Sequence, residues 1–332
     1  MPLGGPMRNF IIVAGVCLLL LMSVGFAAPP AAALPTPQSA LPNCDQQCLY
    51  GFLDQYLAAL KAKDGSRLPL ARNFRYSENN VMMKFPDGVW GTITGFSDYN
   101  LRTADPAEGA VGCYGIVQET SSTSILSLRL KIVDHRIAEA ETIVRRSEGS
   151  GPFPSKPALA SNPVFEEIVP VDARSPRERM IAVADGYFST LQLNDGALFA
   201  PFYDDCDRWE NGLLTTHNQE LAKIIPTASL GCAQQFKLGN YRYDDRVRDR
   251  RFFLVDEERG LIMTAGFIDH AGRLQNYVLT DGTAVKSSMH TPNSLCFLEL
   301  FKIRGGKIQQ IYSVFIGVPY NMPSPWLQYP EN

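Results

Sequence analysis

Residues 187–211 read YFSTLQLNDGALFAPFYDDCDRWEN, and residues 56–79 read YLAALKAKDGSRLPLARNFRYSEN. The two stretches align along their whole length, with one extra residue in the later copy. In each, an aromatic opens an apolar helix (Tyr56, Tyr187), a leucine follows one turn on (Leu60, Leu191), and Asp64-Gly65 or Asp195-Gly196 stops it. A proline comes next (Pro69, Pro201), and both copies close on Glu-Asn, as Glu78-Asn79 and Glu210-Asn211. A repeat of this length is a statement about architecture, and it organises the reading of the rest of the chain.

Downstream, SLRLKIVDHRI (127–137) parallels LELFKIRGGKI (298–308). In both, a strand ending Lys-Ile meets a short turn and returns with period-2 alternation, visible in Ile137, Glu139, Glu141 and in Ile308, Gln310, Tyr312. That is the pattern of a β-hairpin. Each unit therefore reads as helix first, then a run of antiparallel strands, an order that argues for α+β rather than alternating βαβ. The expected units are residues 46–148 and 176–332, joined by a Gly-, Pro- and Ser-rich linker over 149–175. The second helix starts near Ser175-Pro176, an N-cap followed by Pro at the first helical position. The second unit is longer because residues 269–293 insert between two of its strands.

At the front, Arg8 precedes an apolar run from Phe10 to Phe26 and a string of small residues. This reads as a secretory leader over residues 1–33, cut after Ala27 or Ala33, with an uncleaved anchor as the alternative. Residues 34–45 read as a disordered spacer. The net charge of -3 gives no footprint for nucleic acid or an anionic membrane. Six cysteines follow the leader: Cys44, Cys48, Cys113, Cys206, Cys232 and Cys296. In an exported chain they are disulfide candidates first, and six allow about 15 connectivities. The expected pairs are Cys206 with Cys232, and one of Cys44 and Cys48 with Cys113. Cys296 sits in an apolar strand at the place of Ile125 and reads as a buried thiol.

With these residues in view, the unit resembles the SnoaL-like, nuclear-transport-factor-2-like fold: an aromatic helix ending in Asp-Gly, a short strand bearing Glu-Asn, then long strands ending in Lys-Ile. The second unit further resembles a group of exported bacterial and fungal domains of unknown function, through CDRWENG (206–212), GCAQQF (231–236) and RRFFLVDEERGL (250–261). The resemblance implies two tandem cone-shaped α+β domains, each with helices closing a curved antiparallel sheet around one pocket. It also implies cofactor-free proton chemistry by a His or carboxylate in a dry cavity. It leaves the reaction open, because function lies in the site rather than the fold.

The candidates are therefore histidines and carboxylates. His135 falls in a hairpin turn and reads as solvated; His290, in the insertion, reads as exposed. His217 follows the repeated strand and is either an exposed loop residue or a base oriented by Glu210 or Asp204. Asp269-His270 ends an apolar strand and is either an acid–imidazole pair or ordinary turn chemistry. Because three of the four histidines lie in the second unit, that unit is the expected site and the first its structural partner. The candidate catalytic set is His217, Asp269, His270 and Glu210. Trp209, Asn211, Tyr187, Glu78 and Asn79 are the substrate-binding candidates, with fold duty the competing reading of the repeated Glu-Asn and core packing that of Trp209. The alternating Arg246, Arg248, Arg250 and Arg251 read as ion pairs on a strand face, or as a clamp for an anion. Cys44-x3-Cys48 is a weak metal signal, no HxxxH, HExxH, nucleophile elbow, P-loop or dinucleotide fingerprint occurs, and no metal or cofactor is expected. The expected partner is a hydrophobic small molecule, with the two repeats packing on each other as a pseudo-dimer. The rival reading is a non-catalytic secreted binding or scaffold module.

Overall fold

The computed structural model describes residues 44–146, 153 and 162–327. The residues expected to form a leader, and most of the expected spacer and linker, lie outside the described residues. The first repeat comprises α1 (Gln46–Ala62), β1 (Leu70–Glu78), β2 (Val81–Met82), α2 (Val89–Thr92), β3 (Ile93–Asp105), β4 (Ala110–Glu119), β5 (Thr123–Val133) and β6 (Arg136–Arg146). After a short α3 (Pro163–Glu166), the second opens with α4 (Arg177–Leu193), β7 (Phe202–Glu210), β8 (Leu213–Leu214), α5 (Gln219–Ala222) and α6 (Cys232–Lys237). It continues with β9 (Arg246–Asp256), β10 (Leu261–His270), the small hairpin β11 (Asn276–Val278) and β12 (Ala284–Lys286), β13 (Asn293–Arg304) and β14 (Lys307–Val318).

The two six-stranded sheets have the same topology, β2-β1-β6-β5-β4-β3 and β8-β7-β14-β13-β10-β9. In each, the first long strand runs parallel to the last and the other neighbours are antiparallel. The protein is thus α+β, built twice. The repeated sequence signals act through the same local physics in both copies. Lys63 and Asn194 adopt the left-handed conformation that ends α1 and α4. Asp64 and Asp195 then accept hydrogen bonds from the amides of Ser66 (2.9 Å) and Ala197 (3.0 Å), folding matching turns. Pro176, rather than Ser175, occupies the cap position of α4; Ser175 instead accepts a bond from the Gly306 amide at 2.9 Å.

Three apolar cores result. One lies between α1 and the inner face of the first sheet, around Tyr56, Trp90 and Leu128. The second lies between α4 and the inner face of the second sheet, around Phe188, Phe236 and Phe301. The third joins the two sheets through their outer faces, with Tyr114 and Ile116 against Met263, Phe267 and Leu298. The approach there is close: a Cβ on Gly112 of β4 would collide with Met263 Sδ of β10. Charge crosses the same seam, where Arg251 grips the Glu141 carboxylate with both terminal nitrogens.

Two disulfides are formed, Cys44–Cys48 and Cys206–Cys232, the pattern of an oxidising environment. The expected bond from Cys44 or Cys48 to Cys113 is not made. Cys44 and Cys48 flank the first turn of α1 with their Cα atoms 5.3 Å apart, within disulfide reach of each other. Cys113 lies in the interior of β4 as a buried free thiol, as does Cys296 in β13. Among the described residues, no helix is long and apolar enough to cross a membrane.

Candidate functional site

Alternation along the strands decides what each candidate can touch, since neighbouring residues project to opposite faces. On β10, Ile262 faces the second repeat's interior and Met263 the seam between sheets. By the same alternation His270 faces the interior and Asp269 does not. Asp269 is fully buried and engaged by Arg246 Nε (2.9 Å), Arg248 Nε (2.8 Å) and Ser294 Oγ (2.6 Å). Burial would raise its pKa, but Arg248, Ser294 and Arg246 together hold it below the usual carboxylate range. Asp269 is therefore part of an ion cluster and no partner for His270. The arginine run resolves into ion pairs in the same way: Arg250 pairs with Asp185, and Arg251 with Glu141.

The acid beside His270 is Asp244, whose Oδ1 lies 2.8 Å from Nε2, while Nδ1 faces Asn293 Oδ1 at 3.2 Å. Both side chains are buried, and Tyr243 lies against the imidazole at 6.0 Å between ring centres. Burial opposes a charge on His270, yet the Asp244 carboxylate raises its pKa overall; burial raises that of Asp244. The two side chains thus form a buried hydrogen-bonded pair, with both ring nitrogens occupied.

His217 is on the rim, with a side chain 38% exposed and Nδ1 2.8 Å from Asp207 Oδ1. Neither Glu210 nor Asp204 orients it. Glu210 instead faces inward from β7 beside Arg208, with Arg208 Nε and Glu210 Oε1 2.7 Å apart. Arg208 is 1% exposed. It donates to Gln235 Oε1 at 2.6 Å and to the Tyr241 hydroxyl, and its guanidinium lies 5.0 Å from the centre of the Tyr241 ring.

The residue that sequence reasoning missed is Glu299, in the middle of β13. It is 3% exposed and faces inward, accepting a 3.3 Å hydrogen bond from the Tyr187 hydroxyl. Burial pushes its carboxyl up to about 8, partly offset by the Arg208 cation and reinforced by Glu210. Arg208 and Glu210 act on Asp244 as well, so one field links the two acids. The signal available in the sequence was the alignment itself. Glu299 stands where the first repeat has Leu128, a fully buried core residue. Strand register supports that equivalence: Leu298 pairs with Ala265 as Ser127 pairs with Tyr114. The same register sets His270 against Glu119, which the first repeat commits to Arg146.

Of the remaining candidates, Tyr187 belongs to this cluster, packed edge-on against Phe236 and Phe301. Trp209 does not; it projects to the seam and stacks on Tyr312 at 5.8 Å. Asn79 and Asn211 have left-handed backbones (φ 52 and 47). Each accepts an amide from its neighbouring strand, Val144 N at 2.8 Å and Phe315 N at 3.0 Å, closing the end of β1 or β7. Glu78 takes the Val89 amide at 2.6 Å and Arg146 at 3.0 Å inside the first repeat. Sulfur and nitrogen of Cys44, Cys48 and His135 approach within 4.8 Å of one another, but the two sulfurs are joined in a disulfide.

Two cavities border none of His217, Asp269, His270 or Glu210. One, of about 180 Å³, lies in the first repeat between Leu57, Phe96, Tyr99, Arg102 and Cys113. It opens where β3 bulges away from β4 between Phe96 and Asn100, so the repeat expected to be only structural carries a space of its own. The other lies between the sheets.

A family model described as a domain of unknown function, DUF8021, matches residues 173–315, on the repeat whose motifs resemble such domains. Among solved structures, PrhC from Penicillium brasilianum NBRC 6234 is similar at 14% identity and a TM-score of 0.27, covering 43% of this chain and 83% of that one. A putative polyketide cyclase from Xanthomonas campestris pv. campestris is 15% identical with a TM-score of 0.27, covering 43% and 93%. An uncharacterised protein with a cystatin-like fold from Caulobacter vibrioides is 14% identical with a TM-score of 0.25, covering 46% and 94%. No curated protein sequence matches the chain. Function is accordingly read from the chain's own residues.

Proposed function

We propose that this is an exported small-molecule-binding protein whose second repeat moves protons on a hydrophobic, ring-containing metabolite without a cofactor, in the manner of an isomerase, dehydratase or cyclase. The observation that carries the reading is Glu299. Glu299 stands among Arg208, Glu210 and Tyr187, and a buried carboxyl group costs stability that hydrogen bonds and ion pairs must offset, whereas the first repeat shows that leucine serves the fold at that position. With its pKa near 8, Glu299 is mostly protonated at neutral pH and can donate or take up a proton without leaving an uncompensated buried charge. Tyr187 holds its orientation, and Arg208 supplies the positive charge that a developing anion needs. His270 with Asp244 forms a second acid–imidazole pair, at the end of β10 on its interior face.

The non-catalytic reading is favoured by a different observation. Tyr187, Phe188, Phe202, Phe236 and Phe301 fill the second interior with ring-to-ring contacts. A scaffold or binding module would use the cavity of the first repeat instead.

The two are separated by screening ring-containing ketones and hydroxy-ketones for binding, then incubating the binders with protein in D2O and following deuterium uptake at acidic C–H positions by NMR. The expected result is exchange by the native protein, slowed about 100-fold or more in Glu299→Gln. Exchange that is absent, or equal in Glu299→Gln, sinks the catalytic reading.

A further inference from the structure

We propose that the groove between the two sheets is a binding site for a small planar carboxylate, an aryl acid in its chemistry, separate from the interior of either repeat. Two twisted sheets packed face to face diverge at their corners. Here the outer face of β1, β5 and β6 leaves β9 and opens a groove of about 840 Å³, a size that small-molecule sites occupy. Its lining includes five cationic side chains, Arg75, Arg129, Lys131, Arg136 and Arg251, against three acidic ones, in a chain whose net charge is -3. Glu141, just behind this lining, pairs with Arg129 and Arg251.

The carboxylates present do not exhaust the donors. Glu139 is shared by Arg75 and Arg129, and Glu141 by Arg129 and Arg251, so three guanidinium groups stand over two acids. The Nε of Arg251 is buried without a hydrogen-bond partner. Arg136 reaches only the Leu70 carbonyl, at 3.4 Å, and has no carboxylate partner among the described residues. Lys131 donates to the Glu108 carbonyl at 2.6 Å and keeps the exposed Glu108 carboxylate at 3.6 Å. An anionic oxygen pair entering the groove therefore meets the planar fork of Arg136, which suits a carboxylate, beside the Lys131 ammonium.

The walls set the rest of the ligand. Trp326 lies beneath Arg75 (4.9 Å) and Arg129 (5.2 Å), and Phe253 lies 4.9 Å from Arg129 and 5.6 Å from Arg251. Trp326 is fastened by its indole N–H to Ser77 Oγ at 3.2 Å, which keeps the wall in place. The guanidinium groups lie over the ring faces, so a flat apolar body would rest against the ring edges that border the groove while its carboxylate faces the cations. An ion network that merely sealed the seam would have no use for an open space of this size.

The test is calorimetric titration of the intact protein at low salt with 2-naphthoate, its neutral analogue 2-naphthamide, and inorganic phosphate. The expected result is binding of naphthoate at least tenfold tighter than naphthamide or phosphate, weakening as salt rises. Lys131→Ala with Arg136→Ala, two side chains outside the Glu139–Glu141 network, should lower naphthoate affinity at least tenfold while the unfolding temperature stays within a few degrees. Glu299→Leu should leave it unchanged, which separates this site from the proton-transfer site. Equal binding of the amide removes the role of charge, equal binding of phosphate removes the role of the aromatic wall, and naphthoate affinity that survives the double substitution moves the ligand elsewhere. Any of these, or no binding at millimolar naphthoate, overturns the proposal.

Discussion

The pH dependence of stability is the sharpest consequence of Glu299. Its carboxyl is raised from the usual 4.5 to about 8 in the folded protein, burial being the main cause. Between these values the folded state keeps a proton that the unfolded chain has lost. The group's contribution is therefore fully present below about pH 4.5, falls as pH rises, and levels off above about pH 8. At about 1.4 kcal/mol per pH unit, the whole interval corresponds to a loss on the order of 5 kcal/mol, and pH 5 to 7 to roughly 2–3 kcal/mol. Glu299→Gln keeps a partner for the Tyr187 hydroxyl and removes the titration. Urea unfolding of both proteins at pH 5, 6 and 7, followed by tryptophan fluorescence, gives the difference directly, because the other titrating groups cancel. The variant should gain on the native protein by roughly 2–3 kcal/mol across that range. A difference that stays constant to within about 0.5 kcal/mol would mean that Glu299 is ionised at neutral pH, and the proton-carrier role would fall with it.

Two further outcomes are expected. Asn79→Ala and Asn211→Ala should each destabilise by about 1–3 kcal/mol, since both lose a cross-strand hydrogen bond and alanine lacks the side-chain amide that lets asparagine tolerate a left-handed backbone. Glycine at either position should cost less than alanine; equal costs would remove the backbone explanation. Cys206→Ala with Cys232→Ala releases a cross-link spanning 26 residues and should cost about 3–4 kcal/mol, against about 2 kcal/mol for Cys44→Ala with Cys48→Ala, whose separation is 4. Unfolding of the two double variants under one set of conditions checks the order, and a reversed order would refute the loop-length reasoning.

How far the site was legible follows from the range of the interactions. His270 and Tyr187 stood out because their residue types and helical or strand spacing are local features. The pairing of His270 with Asp269 failed for an equally local reason: adjacent strand residues cannot share a face. Asp244, the actual partner, comes from the turn before β9 and meets His270 only through the pairing of β9 with β10. Glu299 was hidden as one acid in an apolar strand, although its alignment with Leu128 was already available. Trp209 was ambiguous until the outer faces of the sheets were seen to meet, which makes its side of β7 a seam rather than a pocket wall.

The sequence by itself determined that the chain builds one α+β unit twice. Period-2 strands, left-handed helix stops and the Asp-Gly and Glu-Asn signals act through backbone geometry within a few residues, so they read the same in any context. The Cys206–Cys232 pairing was expected but not determined, because Cys296 lies in the same copy; burial of Cys296 in β13 leaves the other two to each other. Only the tertiary structure decided that Cys48 closes on Cys44 rather than Cys113, that the first repeat holds a cavity, and that the sheets share a core with a charged groove at its edge. These depend on which of two faces each strand buries and on how two twisted sheets diverge. Both are set by contacts between residues far apart in the chain, which no local pattern encodes.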